Sequence, residues 1–262
     1  MARHRSLPSE AKQMSGHSKW ATIKHKKAAT DAKRGKVFTR LIREIQVAAR
    51  EGGPDQDSNP RLRTAVAAAK AQSMPGDNIK RAIMRGSGQL EGETYSEITF
   101  EGYAPAGVAV LVETVTDNRN RTVAELRHIF SKNGGNLGEN GCVSWIFHTQ
   151  SLIVVPKEAA SEDELLDIAL LSGADDLRDD GDHWSIHSEP NVHSDVLSAV
   201  TDAGIEPLTA EIARVPENTV RVQGKQAGSV IRMIEKLEDQ DDVQNVFANF
   251  DIDDKELEAL SA

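Results

Sequence analysis

The sequence predicts an α+β protein of three domains, in which a basic three-helix bundle precedes two α+β domains, one inserted in the other. Up to residue 91 the apolar residues recur at helical spacing, and beyond Gly92 strand and helix patterns alternate. The charge changes sign at the same point. Residues 1–90 contain 19 Lys and Arg against 7 Asp and Glu, and the remainder contains 12 against 34. This asymmetry indicates a polyanionic partner, although a solvated basic helix surface explains the same charge.

The first predicted helix runs from Asp31 to Arg50 and ends at Gly52 and Gly53. Its apolar residues follow the i, i+3, i+4, i+7 rule and predict a buried stripe of Phe38, Leu41, Ile42, Ile45, Ala48 and Ala49. Five basic residues fall within an arc of about 100° nearly opposite this stripe. We call them the cationic ridge: Lys33, Lys36, Arg40, Arg43 and Arg50. Because only Glu44 lies near them, the clustering favours binding to phosphates over simple solvation.

Two shorter helices complete the predicted bundle. In SNPRLRTAVAAAKAQSM, either Ser58 or Asn59 is the N-cap, Pro60 takes the first helical position, and the buried side is Leu62, Val66 and Ala69. The pair Pro75-Gly76 ends this helix. The next segment, DNIKRAIMRGSG, places Ile79, Ala82 and Ile83 inward, and its outward residues are Lys80, Arg81 and Arg85.

A lysine-rich arm, residues 16–30, precedes the bundle and contains too few apolar residues to form a core alone. We expect it to become ordered on a partner, because its lysines supply phosphate contacts. Trp20 either stacks on an unpaired base or anchors the arm to the bundle. We predict that nucleic acid is bound by Lys19, Trp20, Lys24, His25, Lys26, Lys27, Lys33, Arg34, Lys36, Arg40, Arg43, Arg50, Lys80, Arg81 and Arg85.

Beyond Gly92 the patterns predict, in order, a hairpin of TYSEITFEGY and VAVLVETVT, the helix TVAELRHIFSKNG, two strands SWIFHT and SLIVVP, and the helix EDELLDIALLSG. A hairpin in DLRDDGDHWSIHS, the helix HSDVLSAVTDAG, the strand IEPLTAEIARVP, the helix AGSVIRMIEKLEDQ and the strand VQNVFANFDI follow. The order ββα, βαββαβ, αβ predicts one ferredoxin-like unit inserted in another. The predicted domains are a disordered extension 1–13, the basic helical domain 14–91, a discontinuous domain 92–140 and 217–254, and the inserted domain 141–216.

Two loops are candidates for anion binding. In TDNRNRT, residues 116–122, Asn118 can cap the following helix, while Arg119 and Arg121 sit where the helix dipole disfavours cations. Asn118, Arg119 and Arg121 are therefore candidates for an anion contact or for an interdomain contact. The run NGGNLGENG, residues 133–141, could cradle a phosphate, but it follows a helix instead of opening one, which favours simple loop closure.

No pattern in the chain indicates catalysis. The sequence contains no phosphate-loop, zinc-protease or nucleophile-elbow motif, and His183 and His187 lack a third metal ligand. We therefore predict a non-enzymatic protein without metal or cofactor. No apolar run approaches the roughly 20 residues that a membrane helix needs, so we expect no membrane partner. The single cysteine, Cys142, excludes an internal disulfide and fits a reducing cytoplasm.

Several motifs together resemble the YebC family, in matching order from residue 14 almost to the end. They are GHSKWATIKHKK, DAKRGKVFTRLIREI, NPRLR, FEGYAP, TDNRNRTVAELRHIFSKNGGNLG and LEDQDDVQNVFANF. The resemblance implies an N-terminal helical bundle and two α+β domains, one inserted in the other. Family members usually begin near the residue that matches Met14, which makes Met14 a candidate initiator.

The resemblance implies two alternative functions. Bacterial members are commonly named probable transcriptional regulators that bind promoter DNA, whereas relatives such as a mitochondrial translational activator point to the ribosome and to relief of stalling at consecutive prolines. The basic residues of the bundle include few of the amides that read base edges, which favours phosphate contact and structured RNA. We therefore expect a translation factor that binds ribosomal RNA or tRNA, with promoter DNA as the alternative partner.

Overall fold

The computed structural model describes residues 31–253, 256, 259 and 260, with only the backbone described for residues 31–34. The described chain divides into two compact units. One contains residues 148–215, and the other contains residues 31–147 together with those from 216 onward. Among the described residues, no helix is both long enough and apolar enough to span a membrane.

The described residues form seven α-helices and ten strands. The helices are α1 (Asp31–Gly52), α2 (Pro60–Ala71), α3 (Gly76–Gly86), α4 (Arg119–Lys132), α5 (Glu162–Ser172), α6 (His193–Asp202) and α7 (Gly224–Glu238). The strands are β1 (Ser96–Ala104), β2 (Val108–Thr116), β3 (Asn136–Leu137), β4 (Phe147–Pro156), β5 (Asp176–Asp179), β6 (His183–Ser188), β7 (Thr209–Pro216), β8 (Val220–Arg221), β9 (Val243–Ala248) and β10 (Phe250–Asp251). The predicted α+β class is confirmed.

Helices α1, α2 and α3 form the predicted bundle around one apolar core. Ile45, Ala48 and Ala49 of α1 are buried against Leu62 and Val66 of α2 and against Ile79 and Ala82 of α3. The half-buried residues Phe38, Leu41 and Ile42 pack against the same core, so the stripe predicted for α1 is confirmed. Gly86 lies so close to the Gln46 backbone that an added Cβ would overlap it, which allows the end of α3 to contact α1 directly.

The same compact unit contains an α+β part that follows the bundle, and we call this part the outer domain. It consists of β1 to β3, α4, α7 and β8 to β10. Its sheet has the strand order β3-β1-β2-β9. The predicted β1–β2 hairpin is antiparallel, with Ser96 opposite Thr116 and Ala104 opposite Val108. The closing strand, predicted as continuous, breaks at Asn249, whose Oδ1 accepts a hydrogen bond of 2.7 Å from the Ala109 N–H. Beyond this break β10 pairs in parallel with β8.

The other unit has the element order β4-α5-β5-β6-α6-β7 and the sheet order β5-β6-β4-β7, as in a ferredoxin-like domain. Its core lies between the sheet and the two helices and contains Ile153, Leu165, Ile186 and Val196. The expectation of two separate strands in SWIFHT and SLIVVP is wrong, because a 3-10 turn at Ser144–Ile146 leads into the single strand β4. Residues 148–150, near the start of β4, are polar, which the sequence pattern indicated as a break between two strands. The pairing of β4 with β6 extends only from Ser151 to Pro156.

Candidate nucleic-acid interface

Part of the predicted interface lies outside the described residues. This holds for the arm residues Lys19, Trp20, Lys24, His25, Lys26 and Lys27. Lys33 and Arg34 lie in α1, where only the backbone is described. Their role in nucleic-acid binding stays a prediction.

The other four members of the cationic ridge all donate hydrogen bonds to the outer domain. The Lys36 ammonium donates to the Asp239 carbonyl at 2.8 Å and lies 3.2 Å from its carboxylate. Arg40 donates to the Glu238 carbonyl, Arg43 to the Asp241 carbonyl, and Arg50 to the Tyr95 carbonyl. The sequence pattern located this polar face correctly, but it gave no signal that another domain covers it.

The acceptors for three of these cations form one segment, residues 238–242 (EDQDD), which we call the acidic turn. This turn follows the C-terminus of α7, where carbonyl groups lack partners within the helix and the helix dipole is negative. Lys36, Arg40 and Arg43 therefore satisfy exposed carbonyls and compensate clustered carboxylates at the same time. Burial lowers the pKa of Arg40, although Glu238 and Asp239 oppose this shift.

Asp242 is the most buried carboxylate of the acidic turn, with 2% of its side chain exposed. Arg43 lies 3.0 Å from its Oδ1, Arg121 donates to it at 3.1 Å, and the Thr122 and Thr116 hydroxyls donate to its Oδ2 at 2.7 and 3.1 Å. Burial alone would raise the pKa of Asp242, but the hydrogen bonds from Thr122 and Arg121 and the Arg43 charge lower it. The ionised carboxylate thus joins α1 of the bundle to α4 and β2.

The TDNRNRT loop supplies two of these contacts. Asn118 is the N-cap of α4, since its Oδ1 accepts from the Arg121 N–H at 3.1 Å. The Arg121 guanidinium donates to Asp117 at 2.6 Å and to Asp242, and these bonds raise its pKa. The anion next to Arg121 is therefore a carboxylate of the outer domain itself. Arg119 is exposed at the first position of α4.

A different basic surface remains open on α3. We call Lys80, Arg81 and Arg85 the α3 basic face; all three side chains are exposed, as predicted. Among the residues that the structure describes, no carboxylate forms a salt bridge with any of them. Asp77 is the one acidic residue of this helix. No carboxylate of the described part of the chain thus neutralises the α3 basic face through a salt bridge.

A cleft of about 620 Å³ adjoins the α3 basic face. It lies between the ends of α1 and α3 and the linker to β1, and Arg50 and Arg85 both line it. Tyr95 forms part of its wall, with the Arg43 guanidinium 5.3 Å from the ring centre. Burial raises the pKa of the Tyr95 phenol, so this residue stays neutral near pH 7.

Sequence reasoning missed two charged residues that form several hydrogen bonds near the predicted site. Arg61 of α2 contacts Glu44 at 2.8 Å, Glu51 at 2.7 Å, and also Glu97 of β1, and the Glu97 hydrogen bond is the main cause of its raised pKa. Because Arg61 and Glu97 are 36 positions apart, periodicity within one helix carries no signal of their contact.

Glu101 is the second missed residue, and it explains the glycine-rich run. Its buried carboxylate accepts backbone hydrogen bonds from Gly141, Val143 and Ser144 at 2.7 to 2.8 Å. Burial would raise the pKa of Glu101, but these three bonds lower it. The end of the run NGGNLGENG thus binds an internal carboxylate, and loop closure is the function that the geometry supports. The run also contains the short strand β3, which the sequence did not predict.

The described residues contain no group of three His, Cys, Asp or Glu arranged to hold a metal ion. His187 lies on β6, with Nδ1 3.2 Å from the Gln150 Oε1 and Nε2 3.2 Å from the Ser185 hydroxyl. Both ring nitrogens of His187 thus contact polar side chains of its own domain.

Comparison with known proteins identifies the family. The model described as TACO1/YebC protein N-terminal domain matches residues 18–89, and that described as TACO1/YebC second and third domain matches residues 95–250. A probable transcriptional regulatory protein of Koribacter versatilis is 60% identical over 248 residues, covering 95% of this chain and 100% of the relative. One of Solibacter usitatus is 62% identical with the same coverage.

A solved structure has the same architecture. It is a conserved hypothetical protein of Aquifex aeolicus, 48% identical, with a TM-score of 0.80 over 90% of this chain and 98% of that chain. This agreement and the family matches confirm the resemblance that the motifs indicated. The chain belongs to the TACO1/YebC family.

Proposed function

We propose that this protein is a non-enzymatic regulator of gene expression that binds nucleic acid, and that it acts on RNA at the ribosome as a translation factor relieving stalling, for example at consecutive prolines. The observation that carries the proposal is the contrast between two basic surfaces of one bundle. The described members of the cationic ridge are hydrogen-bonded within the protein, whereas the α3 basic face is exposed and forms no salt bridge with a carboxylate of the described residues.

The chemistry of the α3 basic face suits phosphates. Three cations on one short helix, with a single acid, create a local positive potential on a chain of net charge −10. Lys and Arg contact phosphate oxygens independently of sequence, and release of counterions supplies the binding free energy. The acidic residues that predominate after residue 90 repel the same polyanion, so contacts with phosphates are concentrated on the bundle and the preceding arm.

The cationic ridge then has a structural role, which is to join the bundle to the outer domain. Its four described members satisfy the acidic turn and the Tyr95 carbonyl, and phosphates would have to displace these acceptors. We therefore assign nucleic-acid contact chiefly to the α3 basic face and the arm, and assign the ridge to holding the bundle against the outer domain.

The test compares two triple variants with the same change in net charge. K80E/R81E/R85E reverses the α3 basic face, and K132E/K225E/K236E reverses three exposed lysines of the outer domain. Binding of labelled tRNA and of a ribosomal RNA fragment is measured between 50 and 200 mM salt. We expect the first variant to flatten the slope of log affinity against log salt by about 2 to 3, and the second to leave it near that of the unchanged protein. Equal slopes in both variants would exclude the α3 basic face.

A DNA-binding transcriptional regulator is the second candidate. Helices α2 and α3 are joined by only four residues, 72–75, as in a helix-turn-helix, and the similar proteins carry the name probable transcriptional regulatory protein. This function requires a preference for particular promoters over bulk duplex of order 10³ or more at physiological salt.

Crosslinking in living cells separates the two candidates, with K80E/R81E/R85E as control. Enrichment of ribosomal RNA or tRNA that the control loses supports the translation factor. Discrete promoter peaks support the DNA-binding regulator instead.

A further inference from the structure

Two aromatic side chains of the outer domain present exposed rings beside the loop of residues 138–144. Trp145 is 64% exposed, and Tyr103, near the end of β1, is 38% exposed. Large aromatic rings usually bury most of their surface, because leaving them in water forgoes a large hydrophobic gain. A pair of exposed rings at one place is therefore a candidate binding surface.

Both rings are held by the same backbone group. The Trp145 indole N–H donates to the Cys142 carbonyl at 3.2 Å, and the Tyr103 hydroxyl donates to that carbonyl at 3.0 Å. Each ring has one such donor, so their polar ends are already satisfied inside the protein. The exposed surface of both residues is thus held in position before any ligand arrives.

The Cys142 carbonyl, which accepts the hydrogen bonds from both rings, is itself held in place by contacts of the neighbouring residues. The three backbone hydrogen bonds to the Glu101 carboxylate hold residues 141, 143 and 144 on either side of Cys142. Gly138 packs so closely that an added Cβ would lie 2.6 Å from the Cys142 Sγ. Preorganisation of this kind reduces the entropy that a binding surface loses when it engages a ligand.

The surroundings of the rings determine which ligand fits. Residues 133–147 contain no Lys or Arg, so this segment offers no cation for phosphate contact. Its exposed polar side chains are the amides of Asn136 and Asn140, the hydroxyl of Ser144 and one carboxylate, Glu139. Exposed aromatic residues flanked by amides suit a planar, uncharged ring with hydrogen-bonding edges, which describes an unpaired nucleobase.

A proline-rich peptide is the other ligand that docks on aromatic surfaces. Its polyproline II backbone has carbonyl groups that no internal hydrogen bond satisfies. The indole N–H and the phenol O–H could serve them, but both already bind the Cys142 carbonyl. The observed hydrogen bonds therefore favour a base over a peptide.

We propose that Trp145 and Tyr103 form a stacking platform for unpaired bases of RNA. The proposal rests on the proposed function, because it names the part of the RNA that the outer domain contacts. The α3 basic face supplies sequence-independent affinity through phosphates, and the platform supplies preference for single-stranded over paired segments. The two contributions differ in salt dependence, since stacking releases no counterions.

The experiment measures binding of a labelled 12-nucleotide oligoadenylate and of the same strand paired in a duplex. Variants are W145A, W145F and Y103A, with L171A as control, because Leu171 is an apolar side chain with 90% exposure on α5. Thermal unfolding of each variant checks that the fold is retained. We expect W145A to bind the single strand about 5- to 100-fold more weakly, at an unchanged salt slope.

The other variants and the duplex complete the expected pattern. W145F keeps an aromatic face and should recover most of the lost affinity, L171A should bind normally, and the affinity for the duplex should change little in any of them. Unchanged binding of the single strand by W145A and Y103A would overturn the platform. Equal losses for single strand and duplex would also overturn it. If decaproline instead changes the fluorescence of Trp145, and the oligoadenylate does not compete, the surface is a peptide site.

The outcomes separate this proposal from the proposed function. If K80E/R81E/R85E weakens RNA binding and W145A does not, the platform is wrong and the proposed function stands. If the unchanged protein binds no RNA under any salt condition, both are wrong.

Discussion

Two buried carboxylates, Glu101 and Asp242, decide local structure at the scale of single residues. Each is ionised because several hydrogen-bond donors converge on it, and each lies in a stretch of sequence whose pattern indicates only a strand or a turn. Removing one partner from such a site leaves buried groups unsatisfied, which costs more than the intact contact contributes.

The Glu101 site gives the first prediction. E101Q replaces an acceptor oxygen by an amide that faces backbone N–H groups, so we expect a loss of about 3 kcal/mol in the free energy of unfolding. The measurement is urea denaturation. E139Q, an exposed residue of the same loop, is the matched control and should change stability by less than about 0.5 kcal/mol. Similar stability of the two variants would contradict the assigned role of Glu101.

The Asp242 site gives a prediction about pH. Its pKa is lowered in the folded state, so the ionised form stabilises the fold at pH values above the unfolded pKa of about 3.9, and this contribution is lost as the pH falls below it. D242N should cost about 3 kcal/mol at pH 7 and less at pH 3. D239N, whose carboxylate is 73% exposed, should cost about 1 kcal/mol or less. Unfolding temperatures of both variants between pH 3 and 7 check this, and a pH-independent loss in D242N would contradict it.

At the scale of elements, helical periodicity was the most reliable guide. The three bundle helices and their buried residues follow from apolar spacing, because each helix buries one stripe against its neighbours. Strand prediction failed at the polar stretch His148–Gln150 near the start of β4, since alternation cannot distinguish a gap between two strands from a polar stretch within one strand. The contacts of the ridge were also beyond sequence reasoning: the pattern shows that a helix face is polar, but not which residues of another domain pack on it.

The N-cap of α2 illustrates a choice that the sequence left open. The structure selects Asn59, whose Oδ1 accepts from the Leu62 N–H at 3.0 Å while its Nδ2 donates to the Ala48 and Gly53 carbonyls at 2.8 Å. Loss of the cap and of two bonds to the end of α1 should cost N59A about 2 kcal/mol. S58A removes only exposed contacts with Asp55 and should be nearly neutral. Thermal unfolding of the two variants distinguishes the caps, and equal effects would argue against Asn59.

At the scale of the whole molecule, basic and acidic parts of the chain attract each other before any partner binds. The contact between the ridge and the acidic turn joins residues about 200 positions apart, and only 12% of the Arg43 side chain is exposed there. Charge asymmetry in the sequence thus reflects an internal contact as well as the external partner that we propose. Only the structure identifies the cations that take part in the internal contact.

R43E tests this internal contact. A carboxylate next to Asp242 should cost about 3 to 5 kcal/mol and loosen the bundle from the outer domain. We expect a lower unfolding temperature and faster protease cleavage in the linker, residues 87–94. K36E, at a pair with 45% and 73% exposure, should change both by little. Cleavage of R43E at the normal rate would show that other contacts hold the two parts together.

The chain leaves and re-enters the outer domain at one point, because the Glu217 N–H donates to the Ile146 carbonyl at 2.8 Å. Two ends this close can be joined by a short turn, so the outer domain has no geometric need for the segment between them. Such a segment could have been acquired, lost or exchanged in a single genetic event while the parent fold survived, and it is the natural place to graft a foreign domain.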